Sequence, residues 1–307
     1  MKKFIYKSIL FILPFLVIFI FVEFSLRSIN TGFEQKKTGL IAQADSIEIL
    51  ITGNSHAADG INPSVFIKPA YNIAFPAQSI LYDKELVIKY LKILKKLRFV
   101  LISIDYTSLY WGVNNEREFF YHFYHDINLK NKSFHKEYLS YFFYVYTPRP
   151  ASQIIFNRPD IVLENGWIGI DRTNYDDINE FAAKHRVLFF NSDINKSIES
   201  SEHILVCKEL ESLIIFLIKN NIEPVLITAP CHKLFCENLD DKIMQDITDF
   251  TNQLKDKYQI SYLNSLTDSS FHESDFYDVD HLNKYGAVKY SKKLDSLIQR
   301  LDSINQN

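Results

Sequence analysis

Short apolar runs alternate with longer helical patterns from Ser46 onward, and this alternation limits the possible folds more than any other feature. Continuous Val, Ile and Leu runs such as FVLISI predict strands that are buried on both faces of a sheet. The predicted strands are 47–52, 72–75, 99–104, 224–229 and 260–264, and helical periodicity covers 80–94, 204–218, 240–254 and 283–301.

Strands that alternate with helices predict an α/β fold in which a parallel sheet is covered by helices on both faces, a three-layer α/β/α sandwich. In such sheets, ligands bind beyond the carboxyl ends of the strands. The segments that directly follow each predicted strand are therefore the places in which to look for chemistry.

The first thirty residues carry a different pattern. Residues 8–22 (SILFILPFLVIFIFV) have no charge and follow Lys2, Lys3 and Lys7. Residues 4–26 are long enough to cross a bilayer, which takes about 20 residues. No small-residue cleavage site follows, so we expect an uncleaved membrane anchor rather than a signal peptide or a buried core helix. The basic residues predict a single-pass protein with a cytoplasmic amino terminus and an extracytoplasmic domain.

Charge and cysteine content narrow the possible partners. The chain has 34 basic and 37 acidic side chains, a net charge of −3, which argues against a nucleic-acid partner. Of its three cysteines, Cys231 and Cys236 flank a short predicted loop, and in an oxidising compartment they either form a disulfide or stay as free thiols.

Aromatic residues make up 15% of the chain and are concentrated in one long interruption, between the third and fourth predicted strands. It contains FFYHFYH (119–125) and YLSYFFYVY (138–146). We expect an anchor over 1–30 and an α/β domain over 31–307 with this insertion at about 106–197. Its rings either form a small core of their own, line a cleft for a sugar or acyl chain, or lie on the membrane.

Two polar segments follow the first and last predicted strands. Ser55 lies in Gly-Asn-Ser-His after the first strand, where a serine is often only a helix N-cap. Asp278 and His281 lie after the last strand, three residues apart. A serine becomes a nucleophile when a neutral imidazole takes its proton and a carboxylate orients that imidazole. The two segments should meet at one edge of the sheet, with Asp280 as a rival to Asp278.

These motifs resemble those of the SGNH or GDSL family of serine esterases and acyltransferases. Gly53-Asn54-Ser55-His56 is similar to the first block, G-D-S-x, with Asn for Asp. The last block, D-x-x-H-L-N with a downstream Gly, is similar to Asp278–Asn283 and Gly286. The resemblance implies a flavodoxin-like sheet, with Ser55 as nucleophile, His281 as base and Asp278 as its orienting acid. The aromatic insertion lies outside it.

The middle blocks differ from the family pattern. Ala77 stands where the second block has a glycine that supplies an oxyanion N–H, and alanine keeps that N–H. The third block's oxyanion asparagine is missing after the third strand, where the chain reads Asp105-Tyr106-Thr107-Ser108. The oxyanion candidates are the N–H groups of Ser55 and Ala77 together with Thr107; Ser108 and Gln78 are alternatives to Thr107.

Other groups of residues give weaker evidence for a functional site. His122, His125 and Asp126 lie within four residues, but no further ligand cluster accompanies them, so we expect no metal site. Nucleotide-binding and H-E-x-x-H motifs are also absent from the sequence, and we expect no cofactor.

The sequence therefore predicts a membrane-anchored extracytoplasmic serine esterase or O-acyltransferase that acts on acyl esters of a cell-envelope glycan. This arrangement resembles the alginate O-acetyltransferases and the D-alanyl transfer protein of teichoic acid synthesis. The alternative is a catalytically silent relative that binds glycan or a membrane-bound acyltransferase through its aromatic insertion. The missing asparagine favours this alternative.

Overall fold

The computed structural model describes residues 2–27, 30–113, 117–129, 162, 164–170 and 177–305. The strands are β1 (Ile49–Thr52), β2 (Ala70–Asn72), β3 (Phe99–Ser103), β4 (Glu223–Thr228) and β5 (Ser261–Asn264). The helices are α1 (Lys2–Arg27), α2 (Gly32–Gln43), α3 (Ser55–Gly60), α4 (Ile80–Leu91), α5 (Glu118–His125), α6 (Glu180–Glu199), α7 (Glu202–Lys219), α8 (Lys233–Cys236), α9 (Asp241–Tyr258) and α10 (Lys284–Asn305).

The five strands form one parallel sheet in the order β2-β1-β3-β4-β5. This is the flavodoxin-like order, in which the strand sequence reverses between β1 and β3. All residues of β1 and β3 are buried, as expected for strands that are covered on both faces. The predicted parallel α/β sheet is confirmed.

Helices cover both faces of the sheet. With right-handed crossovers, the β1–β2 connection lies on one face and the later connections lie on the other. In agreement, α3 packs against α10, whereas α4 packs against α7. The result is the three-layer α/β/α arrangement.

The second strand differs in its bounds from the prediction. The sequence indicates 72–75, whereas β2 ends at Asn72. The backbone beyond it still bonds to the β1 segment, because Ile73 N–H donates to Ile51 O at 2.9 Å and Phe75 N–H donates to Gly53 O at 3.1 Å. The predicted segment is thus an irregular continuation of the strand towards the loop that contains Ser55.

The chain divides into two compact units, one formed by 1–34 and 118–161 and one by 35–117 and 162–307. Within the first unit, Phe33 stacks on Phe120 with ring centroids 5.0 Å apart and meets Tyr121 edge-on at 5.2 Å. Phe33 therefore packs against rings of the first aromatic run, 119–125. The second run, 138–146, lies outside the described residues.

In α1, residues Lys2–Phe24 are long and apolar enough to cross a membrane, a property that a signal sequence shares. None of the apolar window in this part of the helix is buried.

Candidate functional site

Ser55 lies at the carboxyl edge of the sheet, on the turn between β1 and α3. Gly53 makes this turn possible because its φ is +132° and a Cβ there would lie 2.5 Å from the Ser103 Cβ. Asn54 is the N-cap, and its Oδ1 accepts from the N–H of His56 at 3.1 Å. The N-cap role therefore belongs to Asn54, which leaves the Ser55 hydroxyl available at the first position of the helix.

Asp278 organises the loop between β5 and α10. Its Oδ1 accepts from the backbone N–H groups of Asp280 at 3.0 Å and His281 at 2.8 Å. Asn283 then donates to the carbonyls of Ser274 and Phe276, while its Oδ1 caps the first turn of α10. These bonds fix the loop from both ends and hold His281 in one place.

Gly286, the glycine that follows Asn283 in the last motif, is required by the packing of this segment. A Cβ at this position would lie 2.1 Å from the carbonyl oxygen of Asp275. Only glycine lets the first turn of α10 approach the preceding loop this closely.

The structure brings the three predicted side chains together in one hydrogen-bonded row. His281 Nε2 lies 2.8 Å from Ser55 Oγ, and His281 Nδ1 lies 3.0 and 3.1 Å from the two oxygens of Asp278. Burial by itself lowers the pKa of His281, but the charge of Asp280 and the bond to Asp278 raise that pKa above its ordinary value. In this geometry an imidazole can take the proton of a serine hydroxyl while a carboxylate orients the ring.

The oxyanion candidates are the backbone N–H groups of Ser55 and Ala77, and Thr107. Ala77 has a φ of +59°, the left-handed conformation that glycine adopts readily, and it follows the segment in which Phe75 bonds to Gly53. Thr107 is already engaged, because its N–H and its hydroxyl both donate to Asp105 Oδ1, at 2.7 and 2.9 Å.

The alternatives to Thr107 are also engaged. Ser108 Oγ accepts from the N–H of Asp105 at 2.9 Å, and Gln78 Nε2 donates to Asp83 at 2.6 Å. Of these three residues, only Thr107 has its N–H and its hydroxyl both donating to one neighbouring carboxylate oxygen.

A second cluster of charged side chains lies beneath His281. His56 Nδ1 is 3.0 Å from Asp105 Oδ2, and His56 Nε2 is 3.6 Å from Asp280 Oδ2. The two imidazole rings are 4.9 Å apart, centre to centre. Arg186 from α6 reaches Asp280 Oδ1 at 3.2 Å and Asp278 Oδ2 at 3.3 Å. The sequence interpretation named Asp280 only as a rival and did not find His56 or Arg186.

The electrostatics of this cluster follow from its burial and its carboxylates. Burial lowers the pKa of His56, but Asp105 and Asp280 outweigh this effect and raise that pKa to about 10. Burial raises the pKa of Asp105, yet His56 and the N–H donors around it hold that pKa well below its ordinary value. The two carboxylates therefore favour the protonated form of His56.

Ligand atoms of His56, Asp280 and His281 lie within 4.8 Å of one another, close enough to share a metal ion. The guanidinium of Arg186 already lies 3.2 Å from Asp280 Oδ1, so a metal cation at this position would meet a like charge. These side chains form an ion-pair cluster.

Two buried carboxyl groups complete the surroundings of Ser55. Asp59 lies one turn after Ser55 on α3 and is buried. Burial raises the pKa of Asp59 to about 6, against the opposing charges of His281 and Lys36. Asp83 Oδ1 accepts from Gly53 N–H at 3.0 Å, and burial raises the pKa of Asp83 to about 7.

The cysteines take no part in the hydrogen-bonded row. Cys207, Cys231 and Cys236 are all free thiols in the described part of the chain. Burial raises the pKa of Cys231 well above its ordinary value, and its Sγ lies 3.5 Å from the Asp280 carbonyl oxygen.

Comparison with known proteins gives distant structural likenesses only. No family model matches the chain, and no curated protein matches its sequence. Among solved structures, it is similar to a protein from Bacteroides fragilis that is assigned as an acylhydrolase, with 10% identity over 89% of this chain and 97% of that one and a TM-score of 0.41. It is also similar to a lipase/acylhydrolase from Enterococcus faecalis, with 10% identity over 83% and 94% of the two chains and a TM-score of 0.39.

Proposed function

We propose that this chain is a serine esterase or O-acyltransferase of the SGNH type, in which Ser55, His281 and Asp278 are the catalytic residues. The observation that carries the proposal is the hydrogen-bonded row from Asp278 through His281 to the Ser55 hydroxyl. Its members come from the ends of the first and last strands, so their meeting is a property of the fold and not of one local motif.

The first half of the reaction forms an acyl-enzyme. Ser55 Oγ attacks the ester carbonyl carbon, and His281 Nε2 takes the hydroxyl proton while Asp278 holds the imidazole through Nδ1. The carbonyl oxygen becomes an oxyanion, for which the N–H groups of Ser55 and Ala77 are the proposed donors. When the carbon–oxygen bond to the alcohol breaks, His281 returns the proton to that leaving oxygen.

In the second half, an acceptor hydroxyl attacks the acyl-Ser55 ester. His281 takes the acceptor's proton, the bond from the acyl carbon to Ser55 Oγ breaks, and Oγ regains a proton from His281. With water as the acceptor, the products are a carboxylic acid and the free enzyme; with a sugar hydroxyl, the acyl group is transferred. The same residues perform both reactions.

The location and the substrate are part of the proposal. The apolar helix α1 supports a single-pass anchor through residues 4–26, and the lysines before it support a cytoplasmic amino terminus with the enzymatic domain outside. An envelope glycan that carries acyl esters is the substrate class within reach of such a domain. A membrane-bound acyltransferase would be the source of acyl groups if the chain transfers them.

Labelling with a fluorophosphonate tests the nucleophile directly, on the full chain in detergent. Such a probe forms a covalent bond with an activated serine, so the native chain should be labelled at Ser55. The variants Ser55→Ala and His281→Gln should not react. Ser296→Ala, which removes an exposed hydroxyl on α10, is the matched control and should react like the native chain. Equal labelling of native chain and Ser55→Ala would refute the mechanism.

A catalytically silent binding protein is the second candidate, and one specific observation favours it. Thr107, which follows the third strand where the family has its asparagine, donates both its N–H and its hydroxyl to Asp105 Oδ1, so it does not replace that asparagine as an oxyanion donor. Loss of one oxyanion donor costs about 10²–10³ in rate. If the native chain neither reacts with the probe nor hydrolyses p-nitrophenyl acetate, with or without sugar acceptors, the binding function is the better explanation.

A further inference from the structure

The charged cluster under His281 has an unusual balance. Asp105, Asp278 and Asp280 are three carboxylates that face two cations, Arg186 and the protonated His56. One negative charge is left over, and it is neutralised when His281 takes a proton. The cluster is therefore balanced for the state in which His281 is charged, which is the state that a general base reaches during the reaction.

Arg186 is the member of this charged cluster that comes from outside the segments that resemble the family's sequence blocks. It lies on α6, inside the stretch that was expected to be an insertion, 92 residues from the aspartate to which it donates. Its guanidinium spans Asp278 and Asp280, the two carboxylates nearest to His281 Nδ1, at 3.0 and 3.5 Å from that atom. A cation in this position weakens the pull of both carboxylates on the imidazole proton.

We infer that Arg186 and Asp280 form a tuning pair that sets the basicity of His281: Asp280 strengthens the base and Arg186 weakens it. The inference rests on the proposed function for its catalytic meaning, but not for its electrostatics. Arg186 is a positioning residue here, because it acts on the base through two carboxylates and touches no reacting atom.

Other charged and titratable groups around His281 also affect its pKa, so the test must leave them unchanged. The titratable and charged groups that face it, directly or through these carboxylates, are His56 and Asp59 from α3, Asp105 after β3, Arg186 from α6, Cys231 after β4, and Asp278 and Asp280 from its own loop. Only Arg186 is partly exposed, with 36% of its side chain accessible. It can therefore be replaced without leaving a cavity in the core.

The test is a histidine NMR titration of the full chain in micelles, which does not depend on activity. The chain has nine histidines, and the resonance that disappears in His281→Gln identifies His281. Arg186→Gln should raise the midpoint for His281 by about one pH unit, since a charge at a few ångströms acts through an effective dielectric near 20 and Arg186 is partly screened. Asp280→Asn should lower the midpoint, and the double variant should titrate close to the native chain.

Two controls separate tuning from a general structural effect. Arg186→Lys keeps the charge and should keep the midpoint near the native value. Lys184→Gln removes the same charge from the same helix. Because Lys184 pairs with Glu180 at the surface, this substitution should not move the titration midpoint of His281. The inference is overturned if Arg186→Gln leaves the titration unchanged, or if Lys184→Gln moves it equally.

Failure of the proposed function would look different. In that case the fluorophosphonate would not react with Ser55, while the titrations would still respond to Arg186 and Asp280. If the enzyme is active, the acid limb of its pH–rate profile should shift in the same directions as the NMR midpoints.

Discussion

Asp83 gives the protein a stability that depends on pH in a direction opposite to that of most carboxylates. The side chain is buried in the first turn of α4 and supports the turn before Ser55 by accepting from Gly53 N–H. Its folded-state pKa is about 7, whereas its ordinary value is 3.8. Because the folded-state pKa is the higher one, the stability contribution is fully present below about pH 4 and is lost as the pH rises through about 7.

The size of the effect follows from this difference. About three pH units between the folded and unfolded chain correspond to a free energy of unfolding on the order of 4 kcal/mol that disappears between about pH 4 and pH 8. Asp83→Asn should abolish this loss, because an amide does not titrate. Its Oδ1 can still accept from Gly53 N–H and from Gln78 Nε2, which both bond to the same oxygen now.

The assay is urea unfolding of the full chain in detergent, followed by tryptophan emission, at pH 5 and at pH 8. The native chain should lose more stability between these two values than Asp83→Asn does, by several kcal/mol. Asp249→Asn, at an exposed aspartate on α9, is the control and should behave like the native chain. If native chain and Asp83→Asn show the same change between the two pH values, the reasoning from burial is wrong.

Three further substitutions test the backbone around the site by the same unfolding assay. Gly53→Ala should destabilise the chain by about 2–5 kcal/mol, since it combines a positive φ with a clash against Ser103, and an unchanged midpoint would contradict this. Asn72→Ala should cost about 2–5 kcal/mol, because its side chain makes three buried hydrogen bonds to backbone groups; exposed Asn252→Ala should cost less than about 0.5 kcal/mol. Ala77→Gly should raise stability by up to about 1 kcal/mol and keep the fluorophosphonate reaction, and a loss of stability would show that the left-handed conformation is not strained.

The centre of the sheet could be predicted because strands β1 and β3 consist mainly of apolar residues. Every residue of β1 and β3 is buried, so the sequence has no freedom to place a charge there. The positions of Ser55 and His281 followed from the same logic, since Ser55 lies in the turn after β1 and His281 lies in the loop that joins β5 to α10 at the same edge of the sheet. The end of β2 could not be predicted, because its backbone bonds continue irregularly to Phe75.

The parts that the sequence did not reveal depend on contacts between distant segments. Helix α6 is polar and aromatic over much of its length, and its buried residues, such as Ala183 and Val187, give only a weak pattern. Arg186 looks like any surface arginine until the fold brings it to Asp278. Thr107 had the right chemistry for an oxyanion donor, but only the structure shows that Asp105 takes both of its donors.

The proposed nucleophile, Ser55, and its proposed base, His281, are 226 positions apart along the chain, so the proposed reactivity can arise only late in synthesis. Ser55 is synthesised among the first residues of the sheet, and His281 enters only when the final loop and α10 dock onto α3. Until then the hydroxyl is an ordinary alcohol. Under the proposed function, a chain that is still emerging, or one cut before residue 278, carries an unactivated serine, and labelling of Ser55 would report that folding is complete.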